Sequence, residues 1–153
     1  MANTYTQMYV QIVFAVQGRY NLIALKNRDE LEKYICGIIL NKKSKPLAIY
    51  CNPDHIHILI GLHPAIAVSD LTRDIKANSS RFINNKKWVL GKFCWQEGFG
   101  SFTYSRSQID TVAKYIINQP KHHKKQSFKE EYLEILKKLE IDYDEQYLFE
   151  WYE

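Results

Sequence analysis

The sequence has few cysteines and no long apolar run. Its three cysteines, Cys36, Cys51 and Cys94, are far apart and form no Cys-x-x-Cys pair. This spacing argues against a zinc ribbon, and an odd number of scattered cysteines indicates reduced thiols. No apolar segment reaches the length of a bilayer-spanning helix, and the N-terminus shows no signal peptide. We therefore expect a cytoplasmic protein without a membrane partner.

The positive charge is mild and unevenly distributed. The chain has 153 residues, a formal net charge of +4 and 46% hydrophobic residues, which is typical of one globular domain with a substantial core. Basic residues concentrate between positions 73 and 92, where Asp74 is the single acid, whereas the chain is acidic from Glu130 on. A basic segment permits a polyanion as partner, although solvated helix faces produce the same pattern.

Hydrophobic periodicity predicts alternating strands and helices. Capping residues, turn residues and breakers mark their ends. In chain order we predict a strand at about 5–17, a helix from Asn27 to about Lys43, a strand at Leu47–Cys51, a strand at about 55–60, a helix with Ser69 as N-cap, an aromatic strand at Phe93–Tyr104 and two helices, at about 107–119 and 127–140. The first six elements predict an α+β fold, the ferredoxin-like split βαβ (βαββαβ) with an antiparallel sheet, followed by additional C-terminal helices.

The segment 52–60 is the first candidate site. Asn52-Pro53-Asp54 is a turn sequence, and a buried strand follows it. Because side chains alternate along a strand, His55 and His57 share one face and the isoleucines between and after them face the core. Two imidazoles about 7 Å apart along a strand can share one metal ion. A pair of solvent-facing or hydrogen-bonded histidines is the alternative interpretation.

A second candidate lies on the helix near residue 115. Tyr115 and Gln119 are four residues apart and so share a helix face, away from the apolar stripe of that helix. An ordinary half-buried tyrosine would fit the same pattern. Pro120 follows directly, and proline disfavours helical geometry in the residue before it, so we expect the helix to end or bend at Gln119.

These segments together resemble a known family. His55-Ile56-His57, preceded by Pro53-Asp54, resembles the HUH motif of histidine, bulky hydrophobe and histidine. The segment 115–119 resembles the tyrosine helix of the same family, and 93–99 resembles the aromatic strand before that helix. Over nearly its whole length the chain is similar to the single-tyrosine HUH transposases, which move insertion sequences as single-stranded DNA.

The resemblance implies an enzyme that cleaves and rejoins single-stranded DNA. Tyr115 would attack a phosphate at an insertion-sequence end, giving a 5′-phosphotyrosine and a free 3′-OH, so that the bond energy is retained and no ATP is needed. His55, His57 and Gln119 would hold a divalent cation, Mg²⁺ or Mn²⁺. Mn²⁺ tolerates imidazole ligands better than Mg²⁺ does.

The resemblance also implies partners and domain bounds. The substrate would be single-stranded DNA with hairpin ends, and the protein would be a homodimer in which Tyr115 can act with the partner subunit's histidines. One domain would span 1–153, with its core at about 5–104. The candidates for contacts with DNA phosphates are Arg73, Lys76, Arg81, Lys86 and Lys87.

Two other functions compete with this interpretation. A histidine-based nucleotide hydrolase would need a third histidine at position 59, where the chain has Leu59. A non-catalytic nucleic-acid-binding ferredoxin-like module, a decayed or regulatory transposase relative, would share the fold and the basic segment without the chemistry.

Overall fold

Four antiparallel strands form one sheet in the order β2-β3-β1-β4. The computed structural model describes residues 3–122, 126–144 and 148, so residues 1 and 153, the predicted domain ends, lie outside the described residues. The strands are β1 (Tyr9–Ala15), β2 (Lys45–Cys51), β3 (His55–Gly61) and β4 (Gly100–Tyr104). The helices are α1 (Arg28–Asn41), α2 (Val68–Lys86), α3 (Ile109–Ile117), α4 (Gln119–His122) and α5 (Phe128–Lys138). The predicted fold class is therefore confirmed, with α3 to α5 added after the βαββαβ unit.

One face of the sheet carries the main apolar core. In the antiparallel register Ile12 lies opposite Ile58 and Phe14 opposite Ile56, so these four side chains share a face. All four are fully buried. Helices α1 and α2 cover this face, and the stacked rings of Tyr34 and Phe82 join the two helices.

The other face of the sheet carries the candidate site residues. His57 lies opposite Val13 and Leu59 opposite Gln11, so these residues point away from α1 and α2. A second apolar cluster, in which Leu59 and Ile116 are fully buried, holds α3 on this face. Helix α5 covers the remainder of it, beside the histidines.

The predicted aromatic strand at Phe93–Tyr104 is wrong in its first half. Strand β4 begins at Gly100, and Trp95 makes only an isolated bridge to Val16. The chain turns at Gly98, whose φ of 84° is a conformation that residues with a side chain rarely adopt. Trp95 instead packs edge-on against Phe14, and its indole nitrogen donates to Ser79 Oγ at 3.0 Å. Aromatic residues that suit a strand thus serve to anchor a loop on α2.

Two predicted helix ends also shift. Helix α2 has Ala67 rather than Ser69 at its N-cap, with no side-chain cap hydrogen bond. The predicted tyrosine helix is interrupted at Asn118, one residue before the expected bend, and α4 starts at Gln119. Helix α5 begins close to the predicted residue 127, where Ser127 is the N-cap and its Oγ accepts from the backbone nitrogen of Glu130 at 3.2 Å.

Two further observations concern membrane-spanning helices and the state of the cysteines. None of the helices in the described part of the chain is long and apolar enough to cross a bilayer. The three cysteines are free thiols, and Cys51 is the buried one.

We expect the stability of the fold to depend on the α2 side of the core. Leu71→Ala removes a fully buried side chain and should cost about 2–5 kcal/mol of the free energy of unfolding, because the cavity it leaves collapses only in part. Leu90→Ala changes the same residue type at a fully exposed position and should change that free energy by less than about 0.5 kcal/mol. Urea denaturation of both variants measures the difference, and equal losses would contradict the assignment of the core.

Candidate active site

Strand β3 brings the two candidate histidines to the same face. His55 and His57 are 1% and 0% exposed, so neither is the solvent-facing residue that the alternative interpretation allowed. Their ring centroids are 5.2 Å apart, with the ring planes at 74°. Burying two imidazoles without partners would be costly, so the contacts of their ring nitrogens decide what the site can do.

Each histidine has an acceptor at Nδ1. The carboxylate of Asp54 lies 2.7 Å from His55 Nδ1, and the amide oxygen of Gln11 lies 2.8 Å from His57 Nδ1. The Gln11 amide nitrogen in turn donates to the Tyr104 hydroxyl at 2.7 Å. These partners fix the orientation of both rings, so that the two Nε2 atoms face the same space, where each can either carry a proton or offer a lone pair to a cation.

A buried carboxylate from α5 faces those Nε2 atoms. Glu131 is 3% exposed, and its Oε1 lies 3.0 Å from His57 Nε2 and 3.7 Å from His55 Nε2. Its other oxygen, Oε2, accepts hydrogen bonds from the Tyr115 hydroxyl and, at 3.1 Å, from the Gln119 side-chain nitrogen. One carboxylate thus joins all four residues that the sequence singled out.

Tyr115 therefore stands beside the histidines of its own chain. Its ring centroid is 6.3 Å from that of His57. Burial, and then the negative charge of Glu131, raise the pKa of the Tyr115 phenol well above its ordinary value. The phenol is accordingly held neutral as a hydrogen-bond donor in this arrangement.

Gln119 reaches the site despite the break at Asn118. It is fully buried, and its side-chain oxygen accepts from Asn52 Nδ2 at 3.2 Å. The same Asn52 nitrogen lies 3.2 Å from His55 Nε2. The turn that precedes β3 and the helix that follows Tyr115 are thereby connected through side chains.

The donor atoms of the site suit a divalent cation. His55, His57 and Glu131 each offer one ligand atom, and these atoms lie within 4.8 Å of one another. A carboxylate oxygen so close to two imidazole nitrogens requires positive charge between them, either a proton on a ring nitrogen or a bound cation. Burial alone would lower the pKa of His55, but the hydrogen bonds with Asp54 and Glu131 outweigh it and raise that pKa above its usual value. The surroundings thus favour positive charge.

Glu131 is the residue that the sequence analysis missed. The buried apolar face of α5 is formed by Phe128, Tyr132 and Leu136. Glu131 lies three residues after Phe128 and directly before Tyr132, so helical spacing puts it on the same inner face. An acid within an apolar stripe was the available signal.

The basic candidates lie on the opposite side of the sheet. Arg73, Lys76, Arg81 and Lys86 are on α2, and Lys87 follows it. Lys76 donates to the carbonyl oxygens of Gln96 and Gly98 at 2.8 and 2.5 Å, and burial lowers its pKa to about 8. Other members form ion pairs: Arg73 with Asp70 and Asp74, and Lys86 with Glu30. None of these contacts involves the histidines, so a role for these residues in DNA binding stays a prediction.

Comparisons with known proteins give a consistent set of relatives. Residues 4–119 match the model of the family described as "Transposase IS200 like". The chain is 22% identical over 118 residues to the ISDra2 transposase TnpA of Deinococcus radiodurans, an alignment that covers 74% of this chain and 84% of that protein.

Two solved structures share the fold. A candidate transposase from Deinococcus radiodurans R1 has a TM-score of 0.62 at 20% identity, over 76% of this chain and 94% of that one. A REP-associated tyrosine transposase bound to a REP hairpin has a TM-score of 0.60 at 18% identity, over 79% of this chain and 72% of that one. At these identities the similarity concerns the fold alone.

We expect Gln11 to support cation binding indirectly. Gln11→Ala removes the acceptor at His57 Nδ1, frees the ring to reorient and should lower the affinity for Mn²⁺ by about 10–100-fold. Gln17→Ala, at an exposed position just after β1, is the control and should leave the affinity unchanged. Titration calorimetry with Mn²⁺ measures both, and an unchanged affinity in Gln11→Ala would contradict the assigned role.

Proposed function

The chain belongs to the IS200-like transposase family, and on that premise we propose that it cleaves and rejoins single-stranded DNA through Tyr115. The predicted family is confirmed by the comparisons, and DNA transposition follows from membership of it. The chemistry of the strand transfer is our inference from the site. A single observation carries it: the Tyr115 hydroxyl, the Gln119 amide and His57 Nε2 converge on one anionic group, the carboxylate of Glu131.

The same set of converging groups suits a phosphate. A phosphodiester, like the carboxylate, is an anion whose oxygens accept hydrogen bonds. The residues that hold the Glu131 carboxylate beside the Tyr115 phenol therefore suit a phosphodiester in the same place. A tyrosine next to a bound phosphate is the arrangement that covalent strand transfer requires.

The proposed step conserves the number of phosphodiester-type bonds. The phenol oxygen of Tyr115 forms a bond to phosphorus, and the bond from phosphorus to the 3′ oxygen breaks. The phenol proton passes to water as the new bond forms, and the departing 3′ oxygen takes up a proton from water. The products are a 5′-phosphotyrosine and a free 3′-OH, and attack by a 3′-OH on the phosphotyrosine reverses the step and joins two ends.

His55 and His57 would hold the divalent cation, with Gln119 as the predicted further ligand and Glu131 within reach. The cation, Mg²⁺ or Mn²⁺, would neutralise charge on the phosphoryl oxygens and on the leaving oxygen. The chain's own contribution is orientation, because Asp54 and Gln11 fix both rings. The imidazole ligands favour Mn²⁺ over Mg²⁺.

We also propose how the DNA and a second copy would be arranged. One structural relative is described as bound to a REP hairpin, which supports hairpin ends as the substrate here. The basic residues of α2 lie across the sheet from Tyr115, so they would contact a hairpin arm rather than the scissile phosphate. A homodimer remains our expectation, and within one chain Tyr115 already lies beside its own histidines.

We expect Tyr115→Phe to abolish a covalent adduct. Labelled single-stranded DNA from the ends of the protein's own element, mixed with the protein and Mn²⁺, should give a DNA–protein adduct that survives denaturation. Without the phenol oxygen no phosphotyrosine can form. Tyr5→Phe changes the same residue type at a 91% exposed position and should keep the adduct.

An equal adduct yield in Tyr115→Phe would rule out this nucleophile. If the unaltered protein binds the oligonucleotide tightly but gives no adduct with any divalent cation, the non-catalytic binding module becomes the better description.

We expect loss of either histidine to remove cleavage. In His55→Ala and His57→Ala the cleavage rate should fall by more than about 100-fold, since loss of a ligand exceeds the 10–100-fold cost of losing a partner of a ligand. Chelation of the cation in the unaltered protein should have the same effect. His63→Ala, outside the site, is the control. Cleavage that persists in both site variants would contradict the metal site.

A further inference from the structure

Helix α5 closes the site with two side chains. The ring of Phe128 stacks on that of His55, with 3.8 Å between centroids and 11° between planes. Glu131, one turn later, lies against His57. Both residues are nearly fully buried, as are both histidines. In the described part of the chain, the imidazole Nε2 atoms are therefore shielded from a DNA phosphate while α5 is seated.

Glu131 also makes the contacts that an incoming phosphate needs. Its two oxygens lie against His57 Nε2, the Gln119 amide nitrogen and the Tyr115 hydroxyl. Two anions cannot occupy this place together, since each would need the same donors and the two charges would repel at close range. The carboxylate and the scissile phosphate therefore compete for one position.

The closing helix lies outside the part of the chain that matches the family. The match ends at residue 119, and α5 begins at Phe128. The histidines, Tyr115 and Gln119 thus belong to the family core, whereas Glu131 is supplied by a segment beyond it.

We propose that Glu131 is an exchangeable ligand of the site. Seated with α5, its carboxylate completes a closed His55–His57–Glu131 site for the divalent cation. When single-stranded DNA binds, the carboxylate gives up its place to the scissile phosphate and α5 moves away from His55 and Tyr115. The inference rests on the proposed function, because it takes the scissile phosphate as the competing anion.

The attachment of α5 is compatible with release. The helix has 11 residues, and a helix of this length is marginal in water without tertiary contacts. Its buried apolar side chains in the described part of the chain are Phe128, Tyr132 and Leu136, with Ile135 partly buried, whereas Lys137 and Lys138 at its end are exposed. Two of the buried side chains of α5, Phe128 and Glu131, are at the active site, so ligand binding there acts directly on the seating of the helix.

The exchange predicts opposite effects of one substitution on two ligands. Glu131→Gln keeps the shape of the side chain and removes its charge. Glu134→Gln makes the same change at an exposed position on the same helix and is the control. All proteins carry Tyr115→Phe, so that the DNA stays uncleaved and the comparison isolates the carboxylate.

The two measurements are Mn²⁺ affinity without DNA and affinity for the single-stranded oligonucleotide at saturating Mn²⁺. Glu131→Gln should weaken Mn²⁺ binding by at least about tenfold, the lower end of what loss of a partner of a metal ligand costs. It should bind the oligonucleotide about tenfold more tightly, because the fraction of molecules with an open site sets the apparent affinity. Glu134→Gln should match the Tyr115→Phe reference in both measurements.

Phe128→Leu tests the opening of the site without changing the carboxylate of Glu131. It keeps an apolar side chain but loses the ring that stacks on His55, so it should tighten DNA binding while retaining the carboxylate. Circular dichroism checks that each variant is folded.

Each contrary outcome identifies what fails. If Glu131→Gln weakens DNA binding, Glu131 stays in place during the reaction and the exchange is wrong. If it equals Glu134→Gln in both measurements, the exchange is also wrong, while the proposed function stands. If no protein in the set binds the oligonucleotide, the proposed function fails and the exchange falls with it.

Discussion

The two-residue alternation of β3 is the constraint on which the rest of the molecule depends. It turns Ile56 and Ile58 into the main core and turns His55 and His57 to the opposite face. Both faces are buried, so the imidazoles must find partners within the protein. The polar residues around them, from β1, the preceding turn, α4 and α5, supply those partners. The site is thus a consequence of burying a strand that carries two polar side chains.

The sequence was sufficient for the elements that have strong local signals. The alternation around His55 predicted that the two histidines share a face, and the four-residue spacing predicted the same of Tyr115 and Gln119. That the two pairs meet was implied by the family resemblance. The aromatic run at 93–99 misled, because strand propensity is a local property and the anchoring of Trp95 on α2 is tertiary. The contribution of Gln11 depends on the register between β1 and β3, which hydrophobic pattern alone does not specify.

Glu131 shows the limit of motif reasoning most clearly. Its approach to His57 requires the chain to return across the sheet 74 residues later. Neither Glu131 nor His57 is unusual within its own segment. Only the packing of α5 against β3 brings the two side chains together into one site. An acid within an apolar stripe is costly to bury, so such a residue signals that a partner exists without saying which.

Because β3 has one face in the core and the other at the site, the stability of the fold and the geometry of the site depend on different side chains. Replacing the inward isoleucines by side chains of similar volume would alter the energy of folding with little movement of the imidazoles. The backbone is held independently of those side chains, because Val16 donates from its amide to the carbonyl oxygen of Asp54 at 2.8 Å. Variants of this protein with greater heat resistance could therefore be sought on the isoleucine face without altering the site.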